Sequence, residues 1–304
     1  NWKNIITQSP QLNIHPSSVV FTTDKYQYNL QNLQYLNNQF QASSFHFKPL
    51  QSLEHYLDKK SFNEDYTQFS TGKIMGDNIN ISKLINDSNL IINNMHIDSF
   101  YLFSLKDKTQ KDTNTLEKPF PIQLIYKIPF PIKVNQIDIT NAAVQYQEKT
   151  NLALGSIDIT DMNGIIKNIK NHSFIQKDSL HIAATGNINK VLPTQLYITQ
   201  PYHQQLLFIS TITGKTHFTA FNNVLLPFAG IGFKKGIFDS LYMYALADSN
   251  FALGNSFVQF KNLGIDIKNK NDFTKSSYKN RIRSWFVNHF IIRKNNQTKH
   301  KLSK

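Results

Sequence analysis

The chain has 304 residues, 40% of them hydrophobic, enough to bury a sizeable core in one large β domain or two smaller ones. It contains no cysteine, which excludes disulfides, thiolate-held iron–sulfur clusters and Cys-ligated zinc. A net charge of +13 could seek nucleic acid or an anionic membrane surface, although an AT-rich codon bias, which also enriches Asn, Ile and Lys, accounts for scattered lysines without either partner.

The 23 Phe and 13 Tyr favour strands, while the 11 Gly and 10 Pro are too few for a collagen-like or linker sequence. No run of 18 apolar residues is present to span a bilayer as a helix. The opening "NWKNIITQSP" carries neither a Met nor a signal-like apolar stretch, so any membrane anchor is expected upstream.

Residues 18–30 and 44–48 alternate and read as strands. "LQSLEHYLDKK" (50–60) places Leu50, Leu53, Tyr56 and Leu57 at helical spacing, so a short helix is expected there. In 88–108, Met95, Ile97, Tyr101, Phe103 and Leu105 share one parity against His96 and Asp98, the pattern of a half-buried strand. "DKTQKDTNTLEK" (107–118) is polar and aperiodic, a loop.

From 119 the prolines Pro119, Pro121, Pro129 and Pro131 mark sheet edges or strand entries, because proline cannot donate to a ladder. "IDIT" then occurs twice, at 137–140 and 157–160. In each copy the isoleucines (Ile137 and Ile139; Ile157 and Ile159) face one way and Asp138 or Asp158 the other. Val144 and Tyr146 take the opposite parity, so a bulge is expected near Ala142–Ala143. Further strand-length segments follow at 179–188, 195–202, 205–221, 236–248, 251–260 and 262–270, separated by polar or Gly-containing breaks. The expected fold is mainly β: a long curved antiparallel sheet or meander with one apolar concave face and a few short helices. Three regions are expected: 1–118, β-rich with a short helix and the polar loop; 119–272, a repeating β region; and 273–304, a basic amphipathic segment.

Chemistry-bearing motifs are scarce. The ten histidines form neither HxH nor HExxH, and no local ligand cluster suggests a metal. Asp158 and Asp161 read as a solvated strand face rather than an acid/base pair. "LPFAGIGFKKG" (226–236) fits neither a phosphate loop nor a dinucleotide fingerprint and reads as a turn between strands. There is no GxSxG elbow. The chain therefore reads as a non-enzyme with no cofactor and no metal. The tail is the exception: in 278–292, Ile282, Trp285, Phe286 and Phe290 can share one helical face, flanked by Lys279, Arg281, Arg283 and Arg293. That face either docks on an anionic bilayer or caps the end of the β layer. Nucleic acid is disfavoured, since no basic face with interleaved aromatics exists outside the tail.

Several phrases in order, "IDITNAAVQYQEK", "SLHIAATGNINK", "VLLPFAGIGFKKGIFDSLYMYALADSNFALGNSFVQFKNLGIDI" and "SWFVNHFIIRKNN", resemble the repeating β region of AsmA-like envelope proteins. Val144 and Tyr146 fill that family's "V.Y" positions. Gly236, Ile237, Asp239 and Leu241 approximate its "G.ID.L", while Phe260, Asn262 and Leu263 depart from its "Y.DL". The resemblance spans most of 79–296. It implies a protein of the cell envelope and periplasm of a double-membraned bacterium, anchored by an upstream transmembrane helix, that shelters lipid acyl chains or supports outer-membrane assembly and maintenance. Its partners would be phospholipid or another envelope lipid, a membrane surface and other envelope proteins. Lipid-facing candidates are Ile137, Ile139, Ile157, Ile159, Leu180, Ile182, Ile265 and Ile267; membrane-surface candidates are Arg281, Arg283, Trp285, Phe286 and Arg293. Two alternatives stay open: a covered core in place of the apolar groove, and a periplasmic scaffold that binds partners by strand addition without lipid cargo.

Overall fold

The computed structural model describes residues 16–36, 38–58, 65–79, 81–109, 119–150, 153–229, 231–248, 251–268, 278–286 and 295–296. These form one open sheet of 17 strands with short helices at its margins. In chain order the strands are β1 (Ser18–Thr22), β2 (Tyr26–Gln31), β3 (Gln34–Leu36), β4 (Gln39–Ala42), β5 (Ser44–Pro49), β6 (Tyr66–Thr71), β7 (Ile74–Asp77), β8 (Leu90–Asp98), β9 (Tyr101–Asp107), β10 (Ile132–Lys149), β11 (Leu154–Lys170), β12 (Ser179–Ile188), β13 (Leu192–Pro201), β14 (Leu207–Thr213), β15 (Thr216–His217), β16 (Ile231–Ala247) and β17 (Ala252–Ile267). The helices are α1 (Leu53–Asp58), α2 (Ile81–Asp87), α3 (Pro121–Tyr126), α4 (Asn222–Ala229) and α5 (Tyr278–Phe286), with a 3-10 turn at Phe218–Phe221. No helix among the described residues is long and apolar enough to cross a membrane.

β10 is the trunk. On one side it pairs antiparallel with β11, and the ladder continues through β12, β13, β14, β16 and β17, with β15 added to β16. On the other side its first half pairs with β8 and its second half with β9. Both of these pairings are parallel, within a sheet that is otherwise antiparallel as expected. Alternation in sequence carries no strand direction, and the connection through α3 returns the chain in the same sense. From β8 the sheet extends to β7, β4 and β3; from β9 it extends to β6, β5, β2 and β1.

The paired short strands of the N-terminal half are the two halves of longer strands interrupted at Asn32, Ser43, Gly72 and Ser99. The line of interruptions continues into β10 at Asn141 and β11 at Asp161, where the register shifts. Asn32, Ser99, Asn141 and Asp161 have φ between 50° and 56°, a left-handed geometry that Asn and Asp tolerate better than branched residues. Backbone bonds stitch this crease: Gly72 N–H donates to Asp98 O (2.8 Å) and Ser99 N–H to Thr140 O (2.9 Å). The Asp98 carboxylate accepts from Ser99 Oγ, Thr140 Oγ1 and Asn141 Nδ2 at 2.8–3.0 Å. These donors hold its pKa below the usual carboxylate range.

The helix expected over 50–60 is α1; its Tyr56 packs on Tyr66, Phe103 and Leu105. Two segments depart from expectation. "FPIQLIY" is helix, not strand entry: Pro121 supplies a preset φ in the first turn, and Gln123 Oε1 accepts from Phe120 N–H (2.7 Å). "LPFA" lies in α4 rather than in a bare turn; Asn222 at its start bonds both backbone groups of Phe233 (2.7 and 2.9 Å). The single strand read over 18–30 is a hairpin, turned by Thr23, whose hydroxyl and backbone both bond Tyr26. The 107–118 loop is described only to Thr109; residues 110–118 lie outside the described residues.

Candidate functional site

Residues directly opposite each other in a ladder share a face, so the registers trace rows of side chains across the sheet. One row runs Phe21, Tyr28, Phe47, Phe69, Leu102, Val144, Ile159, Ile188 and Leu192, from β1 to β13. Every member is apolar or aromatic. Ring centroids stand 5.8 Å apart for Phe21–Tyr28, 5.2 Å for Tyr28–Phe47 and 5.0 Å for Phe47–Phe69.

A second row runs Tyr35, Phe40, Gly76, Met95, Ile137, Ile166, Ile182, Ile198, Ile209, Ala245 and Gly254, from β3 to β17. Between them lie Ile74, Ile97, Ile139, Gly164, Ala184, Leu196, Thr211 and Met243. β12 is unbroken, and Ile182, Ala184 and Ile188 have the same parity on it. All three rows therefore lie on one face.

The opposite face is polar near the trunk. Gln136 Nε2 donates to both oxygens of Asp138 (2.9 Å), and Gln145 Nε2 and Ser156 Oγ donate to Asp158 (3.0 Å). Towards β17 that face instead exposes Tyr197, Phe208, Tyr242, Tyr244, Leu253 and Phe257. A groove of about 460 Å³ there is lined by Tyr197, Phe208, Tyr244, Leu253 and Asn255.

Both ends of the apolar face are closed. At one end Leu180 (1% exposed) and Gln200 lie beside α3, and Gln200 Oε1 accepts from Ile122 N–H (3.1 Å). There Tyr202 ties the strand ends together: its hydroxyl donates to Asn168 O (2.5 Å) and accepts from Lys170 N–H (3.0 Å). Burial, with smaller contributions from neighbouring groups, pushes the Tyr202 pKa up to about 12. At the other end the 3-10 turn sets Phe218 against Phe233, Phe238 and Phe260, with Leu192 in the same cluster and Ile188 at its edge. Between the ends Ile139, Ala184, Leu196, Ile198, Ile209, Met243 and Ala245 are only half-buried. Among the described residues no helix makes extensive contact with β12, β13 or β14. This half-exposed apolar band, covered at both strand ends, is the trough.

Five of the eight lipid-facing candidates lie in these rows or at their α3 end: Ile137, Ile139, Ile159, Leu180 and Ile182; Ile157 pairs with Tyr146 beyond the last β12 partner of β11, a strand that α4 also contacts. Of these, Leu180 is sealed inside the α3 end, and Ile137 and Ile182 touch the same buried cluster. Ile265 and Ile267 are not brought into the trough. They pair with Phe233 and Ile231, eleven and thirteen residues along β17 from Gly254. Parity alone misled for Phe103 and Leu105 as well. The left-handed Ser99 flips the alternation, so they lie under α1 on the face opposite Met95 and Ile97. The members that sequence reading missed are the central β13–β16 residues, above all Leu196, Ile198, Ile209 and Met243; alternation with Gln195 and Thr199 was a signal for the first two, while Phe208, Tyr242 and Tyr244 on the other face hid it for Ile209 and Met243.

Arg281 and Arg283 are exposed on α5, and Trp285 and Phe286 occupy its last turn. Arg293 lies outside the described residues. Among the described residues no group of three or more His, Asp or Glu could hold a metal ion. Comparison with known protein families and with curated proteins finds no match for the chain.

Proposed function

We propose that this chain is a non-enzymatic, AsmA-like protein of the bacterial envelope that shelters lipid acyl chains in the trough. One observation carries the reading: three cross-strand rows, aliphatic or aromatic along most of their length, share a face whose middle is half-exposed, with a row through Gly186, Thr194 and Thr213 set between two of them. Moving a lipid out of a bilayer costs about 0.8 kcal/mol per CH₂, so a dozen methylenes cost roughly 10 kcal/mol unless another apolar surface receives them. A floor of Ile, Leu and Met returns part of that at roughly 25 cal/mol per Å² covered. The ordered phrases that resemble AsmA-like proteins support this reading, and with it a periplasmic location between membranes. Native mass spectrometry of protein purified from a double-membraned host without detergent tests the reading. Co-purifying phospholipid is the expected result; a lipid-free protein that takes up no added phospholipid would refute it.

A second reading, an envelope scaffold without cargo, draws on the sheet edges. All five residues of β1 are exposed, as are Phe251–Phe257 at the start of the β17 edge, with Leu253 at 71%. No charged residue occurs in either stretch, although edge strands ordinarily carry charge to prevent pairing. Strand addition by a partner fits such edges. Polar substitutions in the trough floor separate the readings, since partner capture at the edges would survive them and lipid retention would not.

A further inference from the structure

The chain's charge is not spread evenly. Residues 269–304 hold ten of the 33 basic residues and one of the 20 acidic ones, a net +9 of the chain's +13. The described strands β16 and β17 carry further lysines. Midway along β16, Lys215 and Lys261 stand 4.0 and 3.7 Å from Asp239; where β16 begins and β17 ends, Lys234 and Lys268 stand 3.6 and 2.8 Å from Asp266. Lys235 is exposed beside them. At the α5 end three lysines, Lys234, Lys235 and Lys268, thus accompany one aspartate, Asp266. α5 is fastened at this place: Ser284 is buried, and its Oγ accepts from Ile267 N–H at 2.8 Å. Lys279, Arg281 and Arg283 on the helix are all exposed.

Apolar groups sit among these cations. Ile282 is 50% exposed between Arg281 and Arg283, and Ile231, the partner of Ile267 in the ladder, is also exposed. Exposed aliphatic side chains between guanidinium and ammonium groups match the boundary between headgroups and acyl chains, where apolar insertion and attraction to anionic lipid act together. Nucleic acid would be drawn by the same cations but gains nothing from an exposed aliphatic such as Ile282, since it stacks its bases on rings.

We propose that the α5 end of the sheet docks on an anionic phospholipid bilayer through Lys279, Arg281 and Arg283, with Ile282 entering the interface. The partner follows from charge and exposure at this end and does not depend on what the trough holds.

Flotation of the full chain with vesicles tests it. Phosphatidylcholine vesicles containing phosphatidylglycerol should bind the protein at low salt and release it at high salt, whereas pure phosphatidylcholine should not bind it. The combined variant Lys279→Gln, Arg281→Gln, Arg283→Gln should weaken binding on the order of a hundredfold, at about fivefold per cation. Ile282→Ser should weaken it on anionic vesicles without changing its salt dependence. All four side chains are exposed, so the variants should melt with the wild type, and phospholipid bound in the trough should be unaffected. Equal binding to neutral vesicles, full binding by the triple variant, or loss of vesicle binding to a modest excess of DNA would each overturn the proposal. Vesicle binding by a protein that carries no lipid in its trough would leave this proposal standing and refute the cargo reading instead.

Discussion

Ile139 and Ile159, the third residues of the two "IDIT" phrases, project from the same face of the sheet. Ile139 pairs with Gly164 and Gly164 with Ala184, while Ile159 pairs with Ile188, four residues further along the unbroken β12. One extra residue in each strand, Asn141 in β10 and Asp161 in β11, brings the two phrases back into phase. The repeated phrase is a repeated use of one floor.

Substitutions at these positions should divide by face. Ile139→Asp and Ile159→Asp place a carboxylate on the floor of a trough that water can reach, so each should lower stability by less than about 1.5 kcal/mol while lipid retention collapses. Asp138→Asn and Asp158→Asn should leave lipid retention intact. Urea unfolding paired with lipid quantification measures both. Losses of several kcal/mol for the Ile variants would mean a closed core.

Gly76 is required by Phe40. A Cβ on Gly76 would lie 2.2 Å from Phe40 Cε1 and 2.7 Å from Cδ1. Gly76→Ala should therefore destabilise by about 1–3 kcal/mol through forced movement of the ring. Phe40→Leu should remove most of that penalty, and a double-mutant cycle should show the coupling.

Tyr202 should govern the alkaline limit of the α3 end. Its folded pKa of about 12 lies above the ordinary tyrosine value near 10, so its contribution is complete below pH 10 and is lost as pH rises towards 12. Thermal melts should show that decline, and Tyr202→Phe should lessen it. At neutral pH the same variant should be less stable by about 1–3 kcal/mol, because Lys170 N–H loses its buried acceptor.

Acid should loosen the crease. Asp98 and Asp161 have lowered pKa values, Asp98 through Asn141, Ser99 and Thr140 and Asp161 through Asn187 and Thr160. A depressed folded pKa contributes stability above the unfolded value near 3.9 and loses it as pH falls through the folded pKa. Amide exchange at Ser99 and Asn141 should accelerate below about pH 4. Asp98→Asn should already show faster exchange at neutral pH.

Strands and the parity of "IDIT" were legible because alternation is local. So was α1, from four apolar residues at helical spacing. What was not legible depended on partners distant in sequence. The parallel pairing of β8 and β9 with β10 leaves no trace in alternation, since both directions bury every second residue. Phe103 and Leu105 were assigned to the wrong face because one left-handed residue, Ser99, inverts everything after it. Ile265 and Ile267 have the right pattern, but β17 carries them past the trough to the α5 end. α3 was hidden by its prolines, which suit a helix's first turn as well as a strand's edge.

The trough itself is tested most directly by photocrosslinking at two adjacent residues of β13. Ile198 lies in the row with Ile182 and Ile209, while Thr199, between His181 and Phe208, faces the other way. A photoreactive phenylalanine analogue at each position, irradiated in cells of a double-membraned bacterium, should yield phospholipid adducts at Ile198 and none at Thr199. Equal labelling at both positions, or no lipid adduct at Ile198, would contradict a lipid-bearing apolar face.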